Sequence, residues 1–195
     1  MGPSEAGKST LATCINGLIP HFHKGKLSGN VVVGGKNTRE HTVSQMAEDV
    51  GLVFQDFEAQ LFSTNVELEV AFGPENFAVP RDDIAARIDE NLAYVGLTGF
   101  RHRPPATLSG GQKQKLAIAS VLALHPNVLV MDEPTTDLDP ISKMGIYEIT
   151  DRLRQRSDLT LLVVEHDTEE VLEADRIALL RDGHLIKVGP AREIL

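Results

Sequence analysis

Three things are scarce in this chain: cysteine, positive charge and long apolar runs. Of 195 residues only Cys14 is a cysteine, so no intrachain disulfide can form, and a reducing cytosol is the natural setting. Lysine and arginine number 19 against 28 acidic residues, a formal net charge of -9. An acidic balance argues against a nucleic-acid partner, whose binding surface is normally basic. It leaves room for a local anion site, because backbone amides bind phosphate without net positive charge. No apolar run reaches the roughly 18 residues of a membrane-spanning helix, and the start shows no signal-peptide pattern. Work at a membrane is therefore expected from the aqueous side, through a partner.

What is present is enough apolar material for a core, 42% of the residues, in a length that suits one domain or one domain with an inserted subdomain. Short β-rich apolar runs lie at 31–33, 50–54, 128–131, 159–164 and 177–180, and read as strands buried on both faces of a parallel sheet. Helical patterns lie between them, at 8–18, 81–95, 109–124 and 141–154. In the second of these Ile84, Ile88, Leu92 and Val95 share one face. Alternating strand and helix predicts an α/β fold with a mostly parallel sheet. Between 56 and 125 no buried strand is apparent, which predicts an all-helical subdomain (56–125) inserted into an α/β core (1–55 and 126–195). No internal repeat stands out.

Gly2-Pro3-Ser4-Glu5-Ala6-Gly7-Lys8-Ser9 fits the phosphate-binding loop pattern G-x-x-x-x-G-K-[ST], with Thr10 following. Its glycines let the backbone close around phosphate oxygens, and the following helix offers its positive end. Lys8 would reach the terminal phosphates, and the Ser9 hydroxyl would ligate Mg²⁺. Leu108-Ser109-Gly110-Gly111-Gln112 is a second helix start with exposed amides and a hydroxyl, a second candidate anion site. The apolar run 128–131 ends in Asp132-Glu133. A buried strand brings such carboxylates to the sheet edge where α/β ligand sites lie. Asp132 would hold Mg²⁺ through water and Glu133 would act as general base. Gln55 and His166 each follow an apolar run, where an amide could ligate Mg²⁺ and an imidazole could bond a phosphate.

In this order the elements resemble the ATP-binding-cassette ATPase family over essentially the whole chain. Gly2 to Ser9 match Walker A, and Gln55 the Q-loop. Ser109, Gly110, Gly111 and Gln112 match the family signature, and Asp132 and Glu133 Walker B. Thr136-Asp137-Leu138-Asp139 resembles the D-loop, and His166 the switch histidine. The resemblance implies ATP and Mg²⁺ as ligands and a head-to-tail dimer with an identical or paralogous subunit. The signature would then act in trans on the partner's ATP.

After Gln55, the stretch from Gln60-Leu61-Phe62 to Val66-Glu67-Leu68-Glu69-Val70-Ala71-Phe72-Gly73-Pro74-Glu75-Asn76 is similar to ATPases of energy-coupling-factor importers, including the cobalt, nickel and vitamin importers. That implies a membrane T component as partner and a peripheral position on the cytoplasmic face. Glu5, Asp137 and Lys115 depart from the usual family residues. Family members also carry, before Walker A, a strand, an antiparallel edge sheet and an adenine-stacking aromatic. Their absence here predicts a truncated reading frame lacking those strands, with a genuine short form as the alternative. Two competing readings are a soluble cassette ATPase of repair or translation, and an inactive nucleotide-binding remnant.

Overall fold

The computed structural model describes residues 1–23, 25–166 and 171–194. In chain order its helices are α1 (Lys8–Ile15), α2 (Leu18–His21), α3 (Val43–Met46), α4 (Val66–Asn76), α5 (Arg81–Val95), α6 (Gly110–Leu122), α7 (Pro140–Arg154) and α8 (Ala191–Ile194). The strands are β1 (Val32–Val33), β2 (Lys36–Asn37), β3 (Val50–Val53), β4 (Val128–Asp132), β5 (Thr160–Val164), β6 (Ile177–Arg181) and β7 (His184–Gly189). They form two compact units, one of residues 1–46 and 163–195, the other of residues 47–162.

In the second unit β4 is the middle strand of a sheet ordered β3-β4-β5. β3 runs parallel to β4, with Val50 opposite Val128 and Val53 opposite Met131. Every residue of β3 is buried, as uninterrupted apolar runs require of a strand covered on both faces. The runs at 50–54, 128–131 and 159–164 thus become strands with nearly the expected bounds. Between 56 and 125 the chain is helical, with two single 3₁₀ turns and no strand. Helix α6 carries the core here, with Leu116, Ala117, Ile118 and Ala119 fully buried, packed against α4, α5, α7 and β3.

Local signals set the ends of these helices. Pro80 precedes α5, Asp82 and Asp83 occupy its first turn, and Gly96 at φ 75° closes it in the left-handed conformation. Ile88, Leu92 and Val95 bury its apolar face, each side chain contributing about 1.5–3 kcal/mol when fully buried. Ser109 caps α6 in a reciprocal arrangement. Its hydroxyl accepts from the Gln112 amide at 3.3 Å, and its own amide donates to the Gln112 side chain at 3.0 Å.

The first unit departs from expectation at three places. The helical pattern at 8–18 breaks, because Gly17 turns left-handed at φ 80° and the Asn16 side chain accepts from Leu18 N instead. The run 31–33 is not a buried parallel strand. It is half of a two-residue antiparallel hairpin, reversed at once by Gly34 and Gly35 at φ 57° and 82°, and Val32 is exposed. The run 177–180 pairs antiparallel with β7, which the apolar pattern had not indicated. Asp182 and Gly183, at φ 50° and 76°, make that turn, and this dipeptide was the available signal for the hairpin.

Candidate active site

In the first unit the phosphate loop is anchored to the β6–β7 hairpin. The Met1 ammonium donates to Ala178 O at 2.7 Å and Leu180 N donates to Met1 O at 2.9 Å, so Met1 lies along β6 as a strand residue would. Gly183 N donates to Ala6 O at 3.2 Å, fixing the far side of the loop to the hairpin turn. Only glycine fits at position 2: its φ is 152°, and a Cβ there would stand 2.2 Å from Leu180 O.

Gly7, left-handed at φ 91°, leads into α1 with no side-chain cap. The amides at this helix start thus take no side-chain cap, which suits an anion as their acceptor. Lys8 is buried and folds back over the loop, its ammonium donating to Gly2 O at 3.0 Å and Pro3 O at 3.1 Å. A buried cation folded over a glycine-bounded loop at a helix start suits a polyphosphate. Pro3, Ser4, Glu5, Ser9 and Thr10 are exposed, as is His166, just beyond β5.

In the second unit the carboxylates stand where β4 ends. Asp132 is buried, and Glu133 follows at φ 46°. A left-handed non-glycine residue costs on the order of 1 kcal/mol, and the surroundings hold it there. The Gln55 amide donates to Glu133 Oε2 at 3.2 Å, joining residues 78 apart in the chain. Thr136 Oγ1 donates to the same oxygen at 3.3 Å, and Thr136 N donates to Glu133 O at 3.2 Å. Within this unit the amide oxygen of Gln55 and the carboxylate of Asp132 are hard oxygen donors of the kind Mg²⁺ takes, and in the first unit the Ser9 hydroxyl is another such donor.

The signature packs on the segment after Thr136. Asp139 caps α7, accepting from Ile141 N at 3.0 Å, Ser142 N at 3.1 Å and the Ser142 hydroxyl at 2.6 Å. Those bonds, the Ser142 hydroxyl first, hold the Asp139 carboxyl below the ordinary range. Lys113, one residue past the signature, pairs with Glu58, three residues past Gln55, at 2.8 Å.

A second ion-pair group lies nearby. Arg101 reaches Glu67 at the start of α4, at 2.7 Å, and also Asp89 on α5. Glu69 is buried and accepts from Phe62 N at 3.1 Å and Ser63 N at 2.7 Å. This pins a loop whose Phe62 ring meets Phe72 edge-on at 4.5 Å; both rings are exposed, as is Leu68 on α4.

Among the expected site residues, the structure brings Gln55 onto Glu133 and sets the signature helix against the D-loop helix, all in one unit. Walker A and His166 belong to the other. Sequence reasoning missed Thr136 as a partner of Glu133, Ser142 beneath Gly111, and the Glu58–Lys113 pair. The Asp-x-x-Ser spacing from Asp139 to Ser142 was a usable helix-start signal. The other links have no local signature.

The model of the family described as ABC transporter matches residues 1–136. An ABC transporter ATP-binding protein of Caldanaerobacter subterraneus subsp. tengcongensis is 62% identical over all 195 residues, which span 34% of that protein. The chain thus covers about a third of that relative's length. An energy-coupling factor transporter ATP-binding protein of Levilactobacillus brevis is 40% identical over 186 residues, 95% of this chain and 65% of that protein. The solved structure of cbiO1 from Clostridium perfringens, part of the ABC transporter complex cbiONQ, superposes with a TM-score of 0.87 at 32% identity. The match covers all of this chain and 76% of that one.

Proposed function

The chain belongs to the ABC transporter family, as an ATP-binding protein of that family, and from this we propose that it is the ATP-hydrolysing subunit of an energy-coupling-factor-like importer for a vitamin or a transition-metal ion. The observation that carries the reading is the hydrogen bond from Gln55 to Glu133 Oε2 at 3.2 Å. It joins two motifs 78 residues apart in the sequence, one proposed to sense the nucleotide and one to activate the water that attacks it. The likeness to the Levilactobacillus energy-coupling factor protein and to cbiO1 supports the importer class.

In this reading the amides of Gly2 to Ser9 and the Lys8 ammonium bind the phosphates of ATP, with Thr10 beside them. Mg²⁺, when bound, neutralises phosphate charge, and Ser9, Gln55 and Asp132 are its proposed holders. Glu133 takes a proton from the attacking water, and His166 orients the terminal phosphate. Ser109, Gly110, Gly111 and Gln112 close over the ATP of a second cassette subunit, identical or paralogous. The exposed Phe62–Phe72 pair is where a T-type membrane component docks, leaving the subunit peripheral on the cytoplasmic face. No helix among the described residues is long and apolar enough to cross a membrane itself.

The division into an α/β core (1–55 and 126–195) and an inserted helical subdomain (56–125) is part of the same proposal. The subdomain passes the closing motion to the membrane partner.

The test is steady-state ATP hydrolysis by Glu133→Gln. The expected result is a loss of at least about 100-fold in kcat, the usual scale for removing a general base, with ATP affinity retained. A rate near wild type removes Glu133 from its role.

A further inference from the structure

Glu133 is held by more than the Gln55 amide, and the second holder belongs to the turn itself. Thr136 reaches Glu133 twice. Its backbone amide donates to the Glu133 carbonyl at 3.2 Å, and its hydroxyl donates to Glu133 Oε2 at 3.3 Å. The backbone bond closes the turn that leaves β4, in which Glu133 sits at φ 46° and Asp137 at φ 62°. The hydroxyl bond fixes the direction of the carboxylate on top of that turn. A carboxylate on a flexible side chain is an imprecise base unless a donor fixes its plane, since proton transfer needs hydrogen-bond distance and alignment.

These two donors to Oε2 differ in kind. Gln55 lies across the unit on the segment after β3, and its side chain has two ends: the NH2 group donates to Glu133, while the oxygen would be the Mg²⁺ ligand of the proposed mechanism. Thr136 is three residues from Glu133, at the start of the segment that resembles the D-loop. We propose that Thr136 is a positioning residue of the catalytic carboxylate: its hydroxyl, anchored by the turn it shares with Glu133, helps to fix the direction of the Glu133 carboxylate. The proposal rests on the reading of Glu133 as the base, and its test keeps the two apart.

The experiment is ATP hydrolysis by the full chain with Thr136→Val, Thr136→Ala, Thr136→Ser and Glu133→Gln. Affinity for a fluorescent ATP analogue and thermal melting are measured on each. Valine keeps the shape and the backbone bond but removes the hydroxyl; serine keeps the hydroxyl. Thr136→Val and Thr136→Ala are expected to lower kcat roughly 10-fold, the size of one charge-assisted hydrogen bond, with KM and analogue affinity within about twofold. Thr136→Ser is expected to restore most of kcat.

If Thr136→Val and Thr136→Ala match wild type while Glu133→Gln is inactive, the positioning role is wrong and the base assignment stands. If Thr136→Ser loses as much as Thr136→Val, the residue serves packing, and the proposal fails. If Glu133→Gln keeps its rate, the base assignment fails and the positioning role falls with it.

Discussion

Gly111 of the signature helix lies so close to Ser142 on α7 that a Cβ at position 111 would stand 2.3 Å from the Ser142 hydroxyl oxygen and 2.6 Å from its Cβ. The second signature glycine is therefore a packing requirement of this unit as well as a candidate ligand contact. Gly110 differs, since a Cβ there would meet only the Leu138 side chain at 3.7 Å, an ordinary contact.

The pair predicts an asymmetry in stability. Gly111→Ala should lower the stability of the unit by about 1–3 kcal/mol, the usual cost of overpacking. Gly110→Ala should change it by about 0.5 kcal/mol or less. Chemical denaturation of each variant measures this. Adding Ser142→Gly to Gly111→Ala should recover part of the loss, because the remaining contact is with the Ser142 backbone at 3.4 Å. Equal destabilisation by the two alanines would contradict the packing account.

Gly2→Ala should be more damaging to nucleotide binding than any change at exposed loop positions. Its Cβ would meet a backbone atom, Leu180 O, which cannot rotate away, at a φ that side chains avoid. Titration with a fluorescent ATP analogue should show at least about a 10-fold weaker affinity, since a displacement of about 1 Å is costly at a preorganised site. Ser4→Ala, at an exposed position of the same loop, is the matched control. Comparable affinities for the two variants would remove the steric argument.

Glu69 should be needed for the loop that carries Phe62. Its buried carboxylate accepts two backbone amides, and hydrogen bonds to a charged group contribute about 1.5–3 kcal/mol each. Glu69→Ala leaves both amides without that acceptor. We expect a lower melting temperature and faster amide exchange at Phe62 and Ser63, with exchange in α5 little changed. Unaltered exchange at those two amides would show that the loop is held by other contacts.

The Glu67–Arg101 pair should give a pH-dependent term. The hydrogen bond from Arg101 is the first cause holding the Glu67 carboxyl below its ordinary value, with the charges of Arg101 and His102 adding to it. A depressed carboxyl stabilises the fold fully above its ordinary pKa, about 4.3 for glutamate, and loses that contribution as pH falls through the lower folded value. Glu67→Gln should therefore melt about 2–4 °C below wild type at pH 7, the scale of a pair of about 1 kcal/mol in a chain of this length. The gap should close as the pH drops below about 4. A gap of constant size from pH 7 down to acid would show that packing, not charge, accounts for it.

Much of the local structure around the candidate site was legible in the sequence because it follows local rules. Gly7 must turn left-handed before Lys8, Ser109 must cap a helix, and an apolar strand must end in Asp132 and Glu133. Each rule acts over a few residues. The same holds for α5, where Pro80 and Gly96 mark both ends. Legibility failed where a short apolar run had two possible fates. Val31, Val32 and Val33 have the composition of a buried strand, but Gly34-Gly35 reverses the chain too soon for one. The run beginning at Ile177 is a true strand whose partner, β7, is mostly exposed and so lacks the apolar pattern that would have marked it.

The sequence by itself determined the motifs, their order, the helical stretch between β3 and β4, and the apolar strands of the sheet, because capping, glycine stereochemistry and hydrophobic periodicity operate within a turn or two of chain. Tertiary structure alone decided that Gln55 meets Glu133, that Gly111 presses on Ser142, and that Glu69 holds the loop of Phe62. Those contacts depend on where whole helices and strands come to rest when the core closes. Glu133 shows both levels at once. Its place after the strand is written in the residues before it, while the donors that aim it are brought there by the turn at Thr136 and the packing of the unit.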